Sequence, residues 1–218
     1  MAIHERQKAL EDRFHELMQP LFQEKGFYFV PAFKQYRKLT PIGFQCVIFS
    51  FSHYPDGSLV EVHLGIRVDM VEQLAFPYTN GLPGFKEDSL TLVTPLARLF
   101  GMPFERFDLV NRQDLIQASR KINYQLAEKG WQFLQTNMRL THLDQLFNNH
   151  PEEKLQLVHN QANRYIRGLT IARLNQDPNF QSLAQIYRRQ LKLLPTATDG
   201  IRHGFDRLFQ FLLGYSPN

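Results

Sequence analysis

One cysteine, Cys46, stands in 218 residues, so no intrachain disulfide can form. A cytoplasmic setting is therefore expected. There is no Asn-x-Ser/Thr acceptor. The first residues, Met1-Ala2-Ile3-His4-Glu5-Arg6, are polar where a signal peptide would be apolar. No stretch approaches the roughly 18 consecutive apolar residues of a membrane span, so a membrane partner is not expected. The 12 Gly and 12 Pro are scattered, without a repeat period or a low-complexity tract. The sequence also lacks Gly-x-Ser-x-Gly, a Gly-rich phosphate loop, His-x-x-x-His and His-Glu-x-x-His. Each absence removes one familiar route to hydrolysis, nucleotide binding or metal chemistry, and no cofactor is expected.

Aromatic and aliphatic residues are plentiful. With 43% apolar residues and 21% charged, the composition is that of a globular protein. At this length a chain buries roughly 70% of its unfolded surface, enough for one large core or two small ones. The 19 Phe and 8 Tyr make that core aromatic. The net charge of +4 is unevenly placed. Residues 1–110 hold 11 Lys/Arg against 13 Asp/Glu, and residues 111–218 hold 14 against 8. A basic second half suits nucleic acid or an acidic protein, but its charges are spread out, as on a solvated helical surface.

The periodicity changes along the chain. Leu10, Phe14, Leu17 and Leu21, widened by Met18 and Phe22, predict a helix over 5–25. Pro20 is expected to kink or shorten it, and Gly26 to stop it. Phe27–Val30 reads as a short strand and 33–39 as a second, exposed one. Residues 44–68 predict a hairpin around Pro55-Asp56-Gly57, central in its sheet. Val60, Val62, Leu64 and Ile66 fall on one face of it, and Glu61, His63 and Arg67 on the other. Its register is open. Asp69 is placed to cap a helix over 70–76, with Glu72 favouring the helix N-terminus. Residues 77–90 read as a long Pro/Gly loop, functional or mobile. Leu90–Val93 is a weak strand and Leu96–Phe100 a helical turn. Helices are predicted over 114–129 (closed by Gly130), 131–147, 155–174, 180–193 and 201–215. Asn148-Asn149-His150-Pro151 is the clearest linker. The expected fold is thus α+β: an antiparallel sheet of about four strands with packed helices over 1–149, then an all-helical extension over 150–218.

Residues 17–74 resemble a bacterial domain family of unknown function. The likeness rests on the helix ending Phe22-Gln23-Glu24-Lys25-Gly26-Phe27, the strand Phe33-Lys34-Gln35-Tyr36-Arg37-Lys38, and the step His63-Leu64-Gly65-Ile66. Trp131-Gln132-Phe133-Leu134 is similar to that family's closing helices. The likeness implies a sheet-and-helix module and no activity. Pro31 and the 77–90 loop depart from the pattern.

Several clusters could carry function. Lys34, Tyr36, Arg37 and Lys38 combine charge and aromatic rings on one strand, which suits stacking with single-stranded nucleic acid or protection of a sheet edge. Arg188, Arg189 and Lys192 form the densest basic run and are expected to share a helical face with Arg164 and Arg167. Tyr78, Asn80 and Lys86 would line a pocket if the 77–90 loop met the hairpin. His53 and His63, with Glu61, are a candidate His/Glu site, and Cys46 a buried inert thiol. Asp69/Glu72, Glu87/Asp88 and Glu152/Glu153 are carboxylate pairs that helix N-termini and loop solubility already explain.

The leading expectation is a non-enzymatic module that binds a macromolecule: a protein partner or a second copy of the chain. A nucleic-acid-associated protein using the basic half is the alternative. A hydrolase with its site near the 77–90 loop is a third. The last helix carries an apolar stripe, Ile201, Phe205, Leu208, Phe209 and Leu212, expected to dock on the chain's own helices at 155–193 or on a partner.

Overall fold

The computed structural model describes residues 2–79 and 81–216, with 2–4 and 6 by backbone alone. Helix α1 spans Ala2–Glu24. It passes Pro20 and ends as expected at Gly26, whose φ of 77° closes a Schellman turn. Phe27 N–H donates to Phe22 O at 2.8 Å and Gly26 N–H to Gln23 O at 3.0 Å. The buried stripe is Phe14, Met18 and Phe22, four apart, while Leu17 is exposed.

The strands are β1 Tyr28–Val30, β2 Gln35–Thr40, β3 Gly43–Tyr54, β4 Gly57–Val68, β5 Leu92–Pro95 and β6 Arg106–Leu109. They form one antiparallel-paired sheet in the order β1-β2-β3-β4-β5, with β6 also on β4. The β3/β4 hairpin is therefore central. The weak strand expected at Leu90–Val93 is β5, two residues further on, and β6, four residues long and too short to show alternation, is the one strand not expected. In β2, Tyr36 pairs with Val47 and Arg37 with Cys46. This strand is less exposed than expected: Gln35 and Tyr36 are buried.

The helices that follow are α2 Asp69–Ala75, α3 Arg112–Gln125, α4 Trp131–Thr136, α5 Leu140–Asn148, α6 Gln161–Leu174, α7 Phe180–Leu193 and α8 Asp199–Gly214. Asp69 does not cap α2. The N-cap is Val68, and Asp69 accepts instead from Arg67 Nε at 2.5 Å. Helix α3 begins earlier than expected because Asn111 and Asp114 form a reciprocal capping box. Gly130 does not end the segment. A π-helical turn over Leu126–Gly130 runs straight into α4, and the expected 131–147 helix is two, split at 137–139. Residues 77–90 are more regular than a loop, carrying 3-10 turns at Phe76–Tyr78 and Pro83–Asp88.

Two compact units result, each built from two chain segments: 1–65 with 93–135, and 66–92 with 136–218. In the first, Phe14, Phe22, Phe27, Tyr36, Phe49 and Trp131 pack as one aromatic cluster, with Phe22 stacked on Tyr36 at 3.9 Å. In the second, α6, α7 and α8 share a core to which Ala75 also contributes. Ile201, Phe205, Leu208 and Leu212 of α8 are buried there, so the stripe docks within the chain. No described helix is long and apolar enough to cross a membrane.

Candidate functional site

Three polar arrangements stand out. The first is the anchorage of the 77–90 segment. Arg67 ends the hairpin's second strand and was expected on a polar face with Glu61 and His63, yet it is only 2% exposed. The reason is its guanidinium. Nη1 donates to Lys86 O at 2.7 Å, Ser89 O at 3.0 Å and Ser89 Oγ at 2.9 Å, Nε donates to Asp69, and Nη2 lies 3.8 Å from Glu87 Oε2. Hydrogen bonds from Nε and Nη1 offset much of the cost of burying this cation. The segment so tethered carries Leu82 at 67% exposed and Phe85 at 55%, three residues apart across one 3-10 turn. Phe85 N–H donates to Leu82 O at 2.9 Å, which fixes that turn.

The second supports the first from beneath. Glu72, fully buried, takes Arg167 Nε and Nη2 at 2.8 Å each. Burial alone would raise its carboxyl pKa. The Arg167 charge and hydrogen bonds from Arg167, Ser89 and Thr91 outweigh that and hold it below the usual range. Thr91 N–H also donates to Ile66 O at 2.8 Å, and Val68 N–H to Thr91 Oγ1 at 3.0 Å. The exposed turn thus stands on a base of charge-assisted hydrogen bonds.

The third lies in the first unit. His53 Nε2 is 2.7 Å from Glu11 Oε1, and Nδ1 is 2.9 Å from Ser58 Oγ. The carboxylate can only accept, so Nε2 donates to Glu11, and the other ring nitrogen is hydrogen-bonded to the serine hydroxyl. Lys34 Nζ donates to both Glu11 oxygens at 3.0 and 2.8 Å. The chain Ser58–His53–Glu11 has the residue types of a nucleophilic relay, but Ser58 is buried. His63 is not part of it; its Nε2 is 3.6 Å from Glu61 Oε1. Among the described residues no group of three His, Cys, Asp or Glu is placed to hold a metal ion. Cys46 is buried, and burial pushes its thiol up to about 12 against the opposing effects of Arg37 and a backbone bond from Gly65.

The sequence-derived candidates fall in different places. Lys34 is bound to Glu11, and Lys38 Nζ donates to Lys25 O at 2.9 Å. Arg37 lies 3.9 Å over the Phe44 ring. Tyr36 stacks inside the core and its hydroxyl donates to His15 O at 3.0 Å, so its ring is closed to a base. The expected basic face over α6 and α7 does not form, because Arg164 and Arg167 are buried. Arg164 donates to Phe147 O, His150 O and Glu153 O, meeting one carbonyl at the end of α5 and two in the segment after it. Arg188 pairs with Asp206 at 2.7 Å and Arg189 with Glu152 at 3.5 Å, while Lys192 is exposed in the last turn of α7. Tyr78 packs near Phe211, with Arg207 over its ring, and Lys86 contributes its carbonyl to Arg67. Asn80 lies outside the described residues.

Glu72, Arg167, Leu82 and Phe85 carry no motif. Arg67 does leave a trace, a charge inside the apolar run Leu64-Gly65-Ile66-Arg67-Val68. Comparison of the chain with family models, with curated proteins and with solved structures finds no match.

Proposed function

We infer that the chain is a protein-binding module that presents the turn around Leu82 and Phe85 to a protein partner. One observation carries this reading. A nearly inaccessible arginine spends its donors on holding in place a turn whose two largest apolar side chains are left in water. Single exposed apolar residues are ordinary. Two on one braced turn form a preorganised anchor, and preorganisation lowers the ordering cost of association. Aromatic and aliphatic anchors of this kind dominate binding energy at interfaces.

The test places a photoreactive side chain at position 85 and compares it with the same group at Gln181, an exposed position on α7. The reading expects a discrete crosslinked species at 85, absent at 181 and absent when Leu82→Ser is added. Equal crosslinking at both positions overturns it. Nucleic acid retained in a salt-dependent way by the wild type and the Leu82→Ser variant alike would favour the alternative reading.

A further inference from the structure

Tyr165 on α6 and Tyr187 on α7 lie with ring centroids 4.7 Å apart in the second unit's core. Their hydroxyls have opposite fates. That of Tyr187 donates toward Phe147 O at 2.9 Å and Asn148 Oδ1 at 2.6 Å. Tyr165 is 4% exposed, and its hydroxyl makes no hydrogen bond among the described residues. The Tyr165 hydroxyl is not among the buried side-chain atoms left without a partner, so it is open to solvent as a donor. Tyr165 lines a cleft of about 380 Å³ bounded by the 152–161 segment, α7 and the residues after it. That volume lies in the range of small-molecule sites.

The other walls define what would fit. Leu193, 74% exposed, and Leu194 supply an aliphatic side. Lys154 supplies the positive charge, and His159 and Gln190 supply polar groups. The one acid in the lining, Glu152, is 3.5 Å from Arg189, so its charge is already met. The balance is one cation, one phenol donor and an apolar wall. A single carboxylate matches the first two, and a hydrocarbon chain matches the third. A phosphate would bring a second charge with no second cation to meet it.

We propose that this cleft binds a small aliphatic carboxylate, with the carboxylate taking the Tyr165 O–H opposite Lys154 and the chain lying on Leu193 and Leu194. This is independent of the partner-binding turn. The same chemistry is offered by a free short-chain acid and by the C-terminal residue of a peptide.

The test is an NMR titration of the full chain with hexanoate, with hexanamide as the uncharged control. The expected result is saturable shifts confined to residues 152–165 and 190–196, with hexanamide at least about tenfold weaker. Tyr165→Phe keeps the ring and removes only the hydroxyl, and should weaken hexanoate about tenfold. Lys154→Gln, on an exposed residue, should erase the preference for hexanoate over hexanamide, and serves should Tyr165→Phe fail to fold. N-acetylleucine against N-acetylleucinamide separates the sources: tighter binding of N-acetylleucine than of hexanoate assigns a peptide C-terminus, and weaker binding assigns a free acid. Absence of saturable shifts, equal binding of hexanamide, or a folded Tyr165→Phe protein that binds hexanoate like the wild type overturns the proposal.

Discussion

Glu72 and Arg167 stand 95 residues apart in sequence and meet through two parallel bonds of 2.8 Å, with the carboxylate fully buried. Removing one partner of such a pair strands a charge in the interior, which costs about 3–5 kcal/mol. Glu72→Ala and Arg167→Ala should each lose that much in urea unfolding. The double variant should lose far less than their sum, because no charge is left unpaired. Additive losses would show that the two residues act separately. Because Glu72 titrates below the ordinary range when folded, the pair's contribution is present above about pH 4.5 and fades as acid protonates the carboxylate.

His15 gives a second, distinct acid sensitivity. Its ring sits among Phe29, Phe49, Phe51 and Tyr36, and neither nitrogen has a hydrogen-bond partner among the described residues. Burial lowers its pKa from 6.5 to about 4, Lys34 lowers it further, and Glu11 and Asp12 oppose. The neutral ring is the folded form. Its contribution is therefore complete above pH 6.5 and is lost between pH 6.5 and 4, a total of about 3 kcal/mol. Unfolding free energies of wild type and His15→Phe, measured across that window, should diverge from each other steadily. Parallel curves would mean that His15 is not the group that titrates.

Arg67→Ala should loosen the 82–89 turn. Losing donors to two carbonyls and a hydroxyl shifts local opening by more than the ~1.4 kcal/mol that makes a tenfold change in population. Trypsin should cut after Lys86 at least about tenfold faster, while Phe85→Ser, at a solvent-facing position, changes overall stability by less than about 0.5 kcal/mol. An unchanged cleavage rate would show that the turn is held by something else.

Phe205 and Phe211 lie on one helix with different surroundings: the first is fully buried, the second 43% exposed. Phe205→Ala should cost about 3–5 kcal/mol and Phe211→Ala under about 1. Equal effects by thermal or chemical unfolding would contradict the docking of α8 inside the second unit.

The regular parts of this fold were legible because period and punctuation agree in them. Phe180–Leu193 has helical spacing between two prolines, and its bounds are as read. Gly26 and the hairpin turn are of the same kind. Pro20 does not end the helix, which runs on to Glu24 with one backbone donor missing. Gly130 misled because glycine within a helix costs only about 1 kcal/mol, and here the chain bridges it with a π turn. The buried arginines were hidden for a different reason. Arg164 and Arg167 have the spacing of a solvated face, and nothing local shows that Arg164 serves carbonyls 11 to 17 residues back or that Arg167 serves a carboxylate in a distant segment. The exposed turn was visible as a segment of unusual composition, but its restraint by Arg67 was not.

The division of each unit between two stretches of chain also has a meaning in time. A ribosome adds roughly 5–20 residues per second, so Glu72 is made some ~5–20 s before Arg167. Over that interval its carboxylate has no cation to enter the interior with, and α2 cannot settle. The second unit is therefore a late product of synthesis, closed only after its helices have been translated, and the nascent chain carries the 66–92 segment unsheltered until then.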